Sequence, residues 1–163
     1  TNQAKDDPIY SVHNEVGYNF RLPNILAALG LAQLESLSKN IKKKKIIHEK
    51  YKKKINKIRY LSISNTPYYA TSNYWLNILE IKKNLSKKEL SNIIKHLSKN
   101  GIEVRPLWHP NHLQKKYKNC QTYKLKNINN IYRNRLCIPS SAQLTRKQQD
   151  FICKKLKNFF INP

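Results

Sequence analysis

The stretch Glu15-Val-Gly-Tyr-Asn-Phe-Arg-Leu-Pro-Asn24 decides how the rest of the chain is read. A turn carrying Gly17 and Asn19 runs straight into an Ala/Leu-rich helix that begins near Pro23. Proline is tolerated in a first helical turn, because its missing N–H would have no partner there. Just ahead of that turn stand an amide, Asn19, and a fixed cation, Arg21. A loop that presents polar groups, with a rigid helix behind it, is a common way to build a site.

Downstream, Leu34, Leu37, Ile41, Ile47, Tyr51, Ile55 and Ile58 recur at three- and four-residue steps. The spacing predicts one long helix over 22–58 with a continuous apolar face. Its first part, Ala27-Ala-Leu-Gly-Leu-Ala32, is apolar nearly all round and is expected to be buried, or to leave apolar surface open if the chain stands alone. Residues 1–21 read as an extended connection with a turn at Asp6-Asp7-Pro8. The segments 59–63, 73–81, 102–106 and 136–140 read as strands. Ser86-Lys-Lys-Glu89 and Thr145-Arg-Lys-Gln148 are capping boxes, and Asn100-Gly101 closes the helix that the first one opens. Phe151, Ile152, Leu156 and Phe159 are expected to face inward on the last helix. The polar region 115–130 reads as a loop anchored by Tyr117 and Tyr123. Helices and a few strands sharing one core give an α/β or α+β sandwich.

The 163 residues carry a formal net charge of +23 at pH 7, from 32 Lys and Arg against 9 Asp and Glu. Such a balance suits a nucleic-acid-binding module. However, the excess is nearly all Lys, whereas base recognition favours the Arg fork. Abundant Lys, Asn, Ile and Tyr with scarce Gly and Ala fit an AT-rich coding sequence, so compositional drift is the preferred reading and no nucleic-acid partner is expected. Cys120, Cys137 and Cys153 have no metal-ligand or disulfide spacing, and the proline within His109-Pro-Asn-His112 disfavours a helical zinc pair. No metal is expected. Neither a signal peptide nor an apolar run of membrane-spanning length is visible, which predicts a cytoplasmic protein with no membrane partner. Methionine is absent and the chain opens on Thr1, which suggests a piece of a longer protein.

No catalytic set assembles from spacing alone. The informative places are two polar clusters, Asn19 with Arg21, and Arg105 with Trp108, His109 and His112. Cations beside aromatic and imidazole groups suit an anionic, partly apolar ligand such as a nucleotide, although each residue has an ordinary structural reading too.

The ordered motifs resemble a known family. His13-Asn-Glu-Val-Gly-Tyr-Asn-Phe-Arg-Leu-Pro-Asn24 and Ala27-Ala-Leu-Gly-Leu-Ala-Gln-Leu34 are similar to the hallmark segment of the DegT/DnrJ/StrS sugar aminotransferases. The likeness continues through Ser72-Asn-Tyr-Trp75, Gly101-Ile-Glu-Val-Arg-Pro-Leu-Trp108, His112-Leu-Gln114, Ile138-Pro-Ser140 and Leu144-Thr-Arg-Lys-Gln-Gln149. Gln3-Ala-Lys-Asp-Asp-Pro8, Arg105-Pro-Leu-Trp-His-Pro110 and Asn119-Cys-Gln121 look closest to the branch that aminates UDP-linked 4-keto-6-deoxy sugars on bacillosamine- or legionaminic-type routes.

The resemblance implies a fold-type I transaminase that uses pyridoxal phosphate, takes its amino group from glutamate and works as a homodimer. It implies that Asn19 reaches the cofactor phosphate of the neighbouring subunit and that Arg21, Trp108 and His112 border the substrate. It also implies a division into an active-site connection (1–21), an interdomain and dimer helix (22–58) and a C-terminal small domain (59–163). Family members are roughly twice as long, and their Schiff-base lysine lies upstream of the motifs present here. The chain is therefore expected to be a C-terminal part, inactive alone. A non-catalytic remnant is the other reading.

Overall fold

Residues 22–161 are described by a computed structural model. The long periodicity produces two helices rather than one: α1 (Asn24–Glu35) and α2 (Leu37–Ile55) meet at Ser36. The Ser36 hydroxyl donates to the Gln33 carbonyl at 3.1 Å and accepts from the Asn40 amide at 3.2 Å. A serine that bonds back into the preceding turn competes with the helical ladder and bends it, which breaks the single helix expected over 22–58.

On α2 the expected stripe holds from Ile47 onward, whereas Leu37 is exposed and Ile41 half-buried because the first turns lie beyond the core. Ile47 is buried, and Tyr51 and Ile55 are fully so, with Ile58 packed just beyond the helix end. On α1 no side chain is buried. Ile25, Leu29, Leu31 and Leu34 stand in solvent, because nothing among the described residues covers them. Within this chain the expected burial of 27–32 does not occur, and open apolar surface takes its place.

Strands β1 (Leu61–Ile63), β2 (Asn77–Ile81), β3 (Arg105–Pro106) and β4 (Arg135–Ile138) form one sheet in the order β1-β2-β4-β3. Every neighbouring pair is antiparallel. Residues directly opposite each other share a face. The register Leu61↔Ile81, Ile63↔Leu79 and Leu79↔Leu136 therefore gathers the apolar residues on one side. There they join one core with Ile47, Tyr51 and Ile55 of α2, Leu90, Ile93 and Leu97 of α3 (Lys87–Lys99), and Ile152 and Leu156 of α5 (Arg146–Ile161). The result is a sheet with helices against one face, the two-layer α+β solution.

Both capping boxes form. Ser86 and Glu89 exchange side-chain-to-backbone bonds at the start of α3, and Thr145 and Gln148 do so at the start of α5. Gly101 takes φ +70° after α3, where its N–H reaches the Ser98 carbonyl while that of Ile102 reaches Leu97. This Schellman closure requires the left-handed geometry that glycine accepts at little cost.

Three expectations change. Phe151 is largely exposed, because Gln149, Ile152, Cys153 and Leu156 fill the inward stripe of α5 and Phe151 lies off it. Tyr117 and Tyr123 are exposed rather than anchoring, since neither meets a neighbouring element that buries it. The stretch expected to be loop ends by starting a short helix, α4 (Ile128–Arg133).

The opposite face of the sheet carries Ile78 and Cys137 beside a polar cluster. Glu80 and Arg135 face each other across β2 and β4, and Arg135 donates to the Glu80 carboxylate at 2.8 and 3.1 Å. Ser62 and Ser64 donate to the same carboxylate. Partial burial raises the Glu80 pKa, but the hydrogen bonds from Ser64, Arg135 and Ser62 and the charge of Arg135 outweigh it and hold the group below its ordinary 4.5. A depressed carboxyl stabilises the fold above its unfolded pKa, and that share disappears as pH falls through the folded value. Glu80→Gln should cost about 1–2 kcal/mol at neutral pH. The deficit should shrink as the medium is acidified below the ordinary carboxylate range, as read by urea unfolding over a pH series.

Candidate functional site

Asn19 and Arg21 lie outside the described residues. The second predicted cluster is visible, and the structure sorts its members. Arg105 is an exposed cation tied to Glu103, with its Nε 2.9 Å from the carboxylate. His109 shares a 3.0 Å hydrogen bond between its Nδ1 and the Tyr132 hydroxyl, with the rings edge to face, so the chain leaving β3 is pinned to α4. His112 sits half-buried in a 3-10 turn, Asn111–Leu113, and makes no ring contact with Trp108. Trp108 instead meets Trp75, with ring centroids 5.6 Å apart and planes at 35°. Sequence reasoning placed Trp108 in a site but missed this partner.

What holds Trp75 is a polar network beneath it. Asn77 is 1% exposed on the otherwise apolar face of the sheet. Its backbone N–H and its side-chain nitrogen donate to Ser140 Oγ at 2.7 and 3.1 Å, and Ser140 Oγ donates onward to the Ile138 carbonyl at 2.8 Å. That leaves the Asn77 amide oxygen as the acceptor for His48 Nδ1 at 2.9 Å, which puts the imidazole proton on Nδ1. The His48 ring packs on Tyr74 at 5.0 Å. Tyr74 adopts φ +52°, a conformation that non-glycine residues take seldom, with its N–H held by Ser72 Oγ. Lys44, one turn before His48, donates to the carbonyls of Ser140 at 2.6 Å and Trp75 at 3.3 Å. Burial pulls the Lys44 pKa down.

Sequence gave two faint signals for this network. His48 is a polar residue inside the apolar stripe of α2, and Asn77 is a polar residue at a core position of β2. A buried polar group needs a partner, yet the partners lie too far along the chain to be guessed.

Nucleophile and metal chemistry are not assembled here. Burial pushes the Cys153 thiol up to about 11 and the Cys137 thiol upward as well, so neither is a thiolate at neutral pH. Among the described residues no three His, Cys, Asp or Glu side chains gather as metal ligands. Nor do the described residues hold pyridoxal phosphate by themselves. The lysine at this site, Lys44, already binds two carbonyls, and Asn19, the residue assigned to the cofactor phosphate, lies outside the described part. No described helix is long and apolar enough to cross a membrane.

Comparison with known proteins gives a consistent picture. Residues 2–157 match the profile of the DegT/DnrJ/EryC1/StrS aminotransferase family. EpsN of Bacillus subtilis, by name a pyridoxal phosphate-dependent aminotransferase, is 31% identical over 97% of this chain and 41% of its own length. The GDP-perosamine synthase of Escherichia coli is 32% identical over 91% of this chain and 39% of its own. The chain thus spans about two fifths of the curated relatives it matches. Among solved structures, Helicobacter pylori PseC, an aminotransferase of pseudoaminic acid biosynthesis, superposes with a TM-score of 0.74 at 22% identity. That alignment covers 98% of this chain and 43% of PseC, and at this identity it shows a shared fold.

The buried network generates a stability prediction. Asn77→Leu fits the apolar surroundings but strands the His48 N–H and removes a donor from Ser140. Leaving such groups unpaired should cost about 2–3 kcal/mol, seen as a lower urea midpoint with an unchanged slope.

Proposed function

The chain belongs to the DegT/DnrJ/EryC1/StrS aminotransferase family, and from that premise we propose that it is the C-terminal part of a pyridoxal phosphate-dependent sugar aminotransferase. The observation that carries this reading is the single match running through residues 2–157, with the hallmark segment at its start. In the whole enzyme, pyridoxal phosphate supplies the carbonyl that takes up an amino group from glutamate and passes it to a keto sugar. The substrate class is a 4-keto-6-deoxy sugar nucleotide, UDP-linked, in a cytoplasmic route to nonulosonic-acid or bacillosamine-type surface glycans.

The chain's own residues take binding and positioning roles in this proposal. Asn19 contributes its amide to the cofactor phosphate of a neighbouring subunit. Arg21 is a cation for the substrate or the amino donor's carboxylate, while Trp108 and His112 border the sugar nucleotide. Residues 1–21 form the active-site connection, 22–58 the interdomain and dimer segment, and 59–163 the small domain. The exposed Ile25, Leu29 and Leu34 on α1 support an interface there, since large apolar patches on a surface mark association.

The chain joined to its natural upstream coding sequence should bind pyridoxal phosphate with an absorption band near the visible edge. Glutamate should bleach that band, and a UDP-linked 4-keto-6-deoxy sugar should then be aminated. A joined protein without the band overturns the proposal. For the interface, the chain itself should self-associate, and Ile25→Lys combined with Leu29→Lys should shift it toward monomer by sedimentation while leaving its circular dichroism unchanged.

A further inference from the structure

Trp75 and Trp108 are the only two tryptophans in the chain, and the fold sets them against each other. They are 62% and 54% exposed, so each offers ring surface to solvent. The pair is also held from behind. The Trp75 N–H is fixed by Asn73 Oδ1 at 3.0 Å and its carbonyl by Lys44, and two residues on comes the buried Asn77. An exposed aromatic pair on a rigid mount is suited to stack a planar ring, and such stacking tolerates any base because every base has a π face.

A charge stands beside the pair. Lys44 has three N–H donors, and the Ser140 and Trp75 carbonyls take two of them. Among the described residues nothing takes the third, which can meet an anionic ligand. Among the described residues no acidic side chain pairs with the Lys44 ammonium, whereas Lys50 and Lys54 on the same helix both pair with Asp150. The combination selects a ligand with a flat ring at one end and negative charge at the other.

We propose that Trp75 and Trp108 form a stacking shelf for the base of a nucleoside diphosphate, with Lys44 as the residue that positions Trp75 and gives its remaining N–H to the diphosphate. This rests on the sugar-nucleotide reading above and adds Trp75 and Lys44, which that reading leaves without a role. The shelf should accept uracil and guanine alike. It reads a ring and a charge and offers no fixed donor pattern for one base.

Because both tryptophans sit in the shelf, tryptophan fluorescence, excited selectively over the tyrosines, reports on it alone. UDP and GDP should quench the emission saturably, uridine more weakly, and inorganic pyrophosphate not at all. By calorimetry, Trp75→Leu and Trp108→Leu should each weaken UDP binding about tenfold, whereas Trp75→Phe and Trp108→Phe should retain most of it. Lys44→Met should weaken UDP about fivefold and uridine by less, because uridine loses only the mount of Trp75 while UDP also loses its charge partner; loss of structure alone would weaken both alike. The proposal is overturned if quenching fails to saturate, if pyrophosphate binds as well as UDP, or if the Leu variants bind UDP unchanged. Failure of the family reading looks different. A joined protein that lacks transamination while its small domain still binds UDP through the tryptophans sinks that reading and keeps the shelf. Active transamination with Trp variants of unaltered KM does the reverse.

Discussion

Asn77 can lie buried among aliphatic side chains because its backbone N–H, amide nitrogen and amide oxygen all have partners. Those bonds tie α2, β2 and the turn after β4 together at one end of the sheet. The partners on α2 follow helical spacing. Lys44 and His48 are one turn apart, and Tyr51, whose hydroxyl donates to the Pro139 carbonyl at 3.2 Å, continues the row. From the next position round the helix, Ile47 offers its carbonyl to Gln149 of α5 at 2.7 Å. One helix therefore fastens strands, turn and final helix by polar contacts above a shared apolar core. Each bond adds only about 1 kcal/mol net, but breaking one leaves a buried group unpaired, so the arrangement is steeply specified.

Much of the fold was legible because it is written in local chemistry. The capping boxes at Ser86 and Thr145 and the closure at Gly101 depend on residues within one turn, and the apolar stripes of α2 and α3 follow from period alone. Long-range features were not legible. Asn77 and Ser140 are 63 positions apart, and nothing local says that they meet. Ser36 reads as an ordinary helix residue until its hydroxyl is seen bonding back to Gln33. Phe151 misled because hydrophobicity outweighed phase: it lies one position off the stripe that Ile152 continues. Trp108 was singled out by motif, while its contact with Trp75 and the bonds made by Lys44 became visible only in the fold.

The large positive charge has a modest structural part. Lys50 and Lys54 converge on the single Asp150, each 2.7 Å from its carboxylate, and both bonds hold that group below its ordinary pKa. The pairs are half-exposed, where ion pairs add little to stability. With so few acids available, most lysines on the outer faces of α2 and α5 point to water instead. Lys44 differs because its ammonium is partly buried and donates to two backbone carbonyls.

The break at Ser36 separates two kinds of apolar surface. On its C-terminal side, Ile47, Tyr51 and Ile55 close a core within the chain. On its N-terminal side, α1 spans roughly 18 Å at 1.5 Å per residue, and its Leu and Ile side chains find no cover among the described residues. Burying each such side chain is worth about 1.5–3 kcal/mol, so several of them together are a strong drive toward a partner. The residues that follow Ser36 thus close a core by their own contacts, whereas the apolar side chains of α1 find no such cover among the described residues.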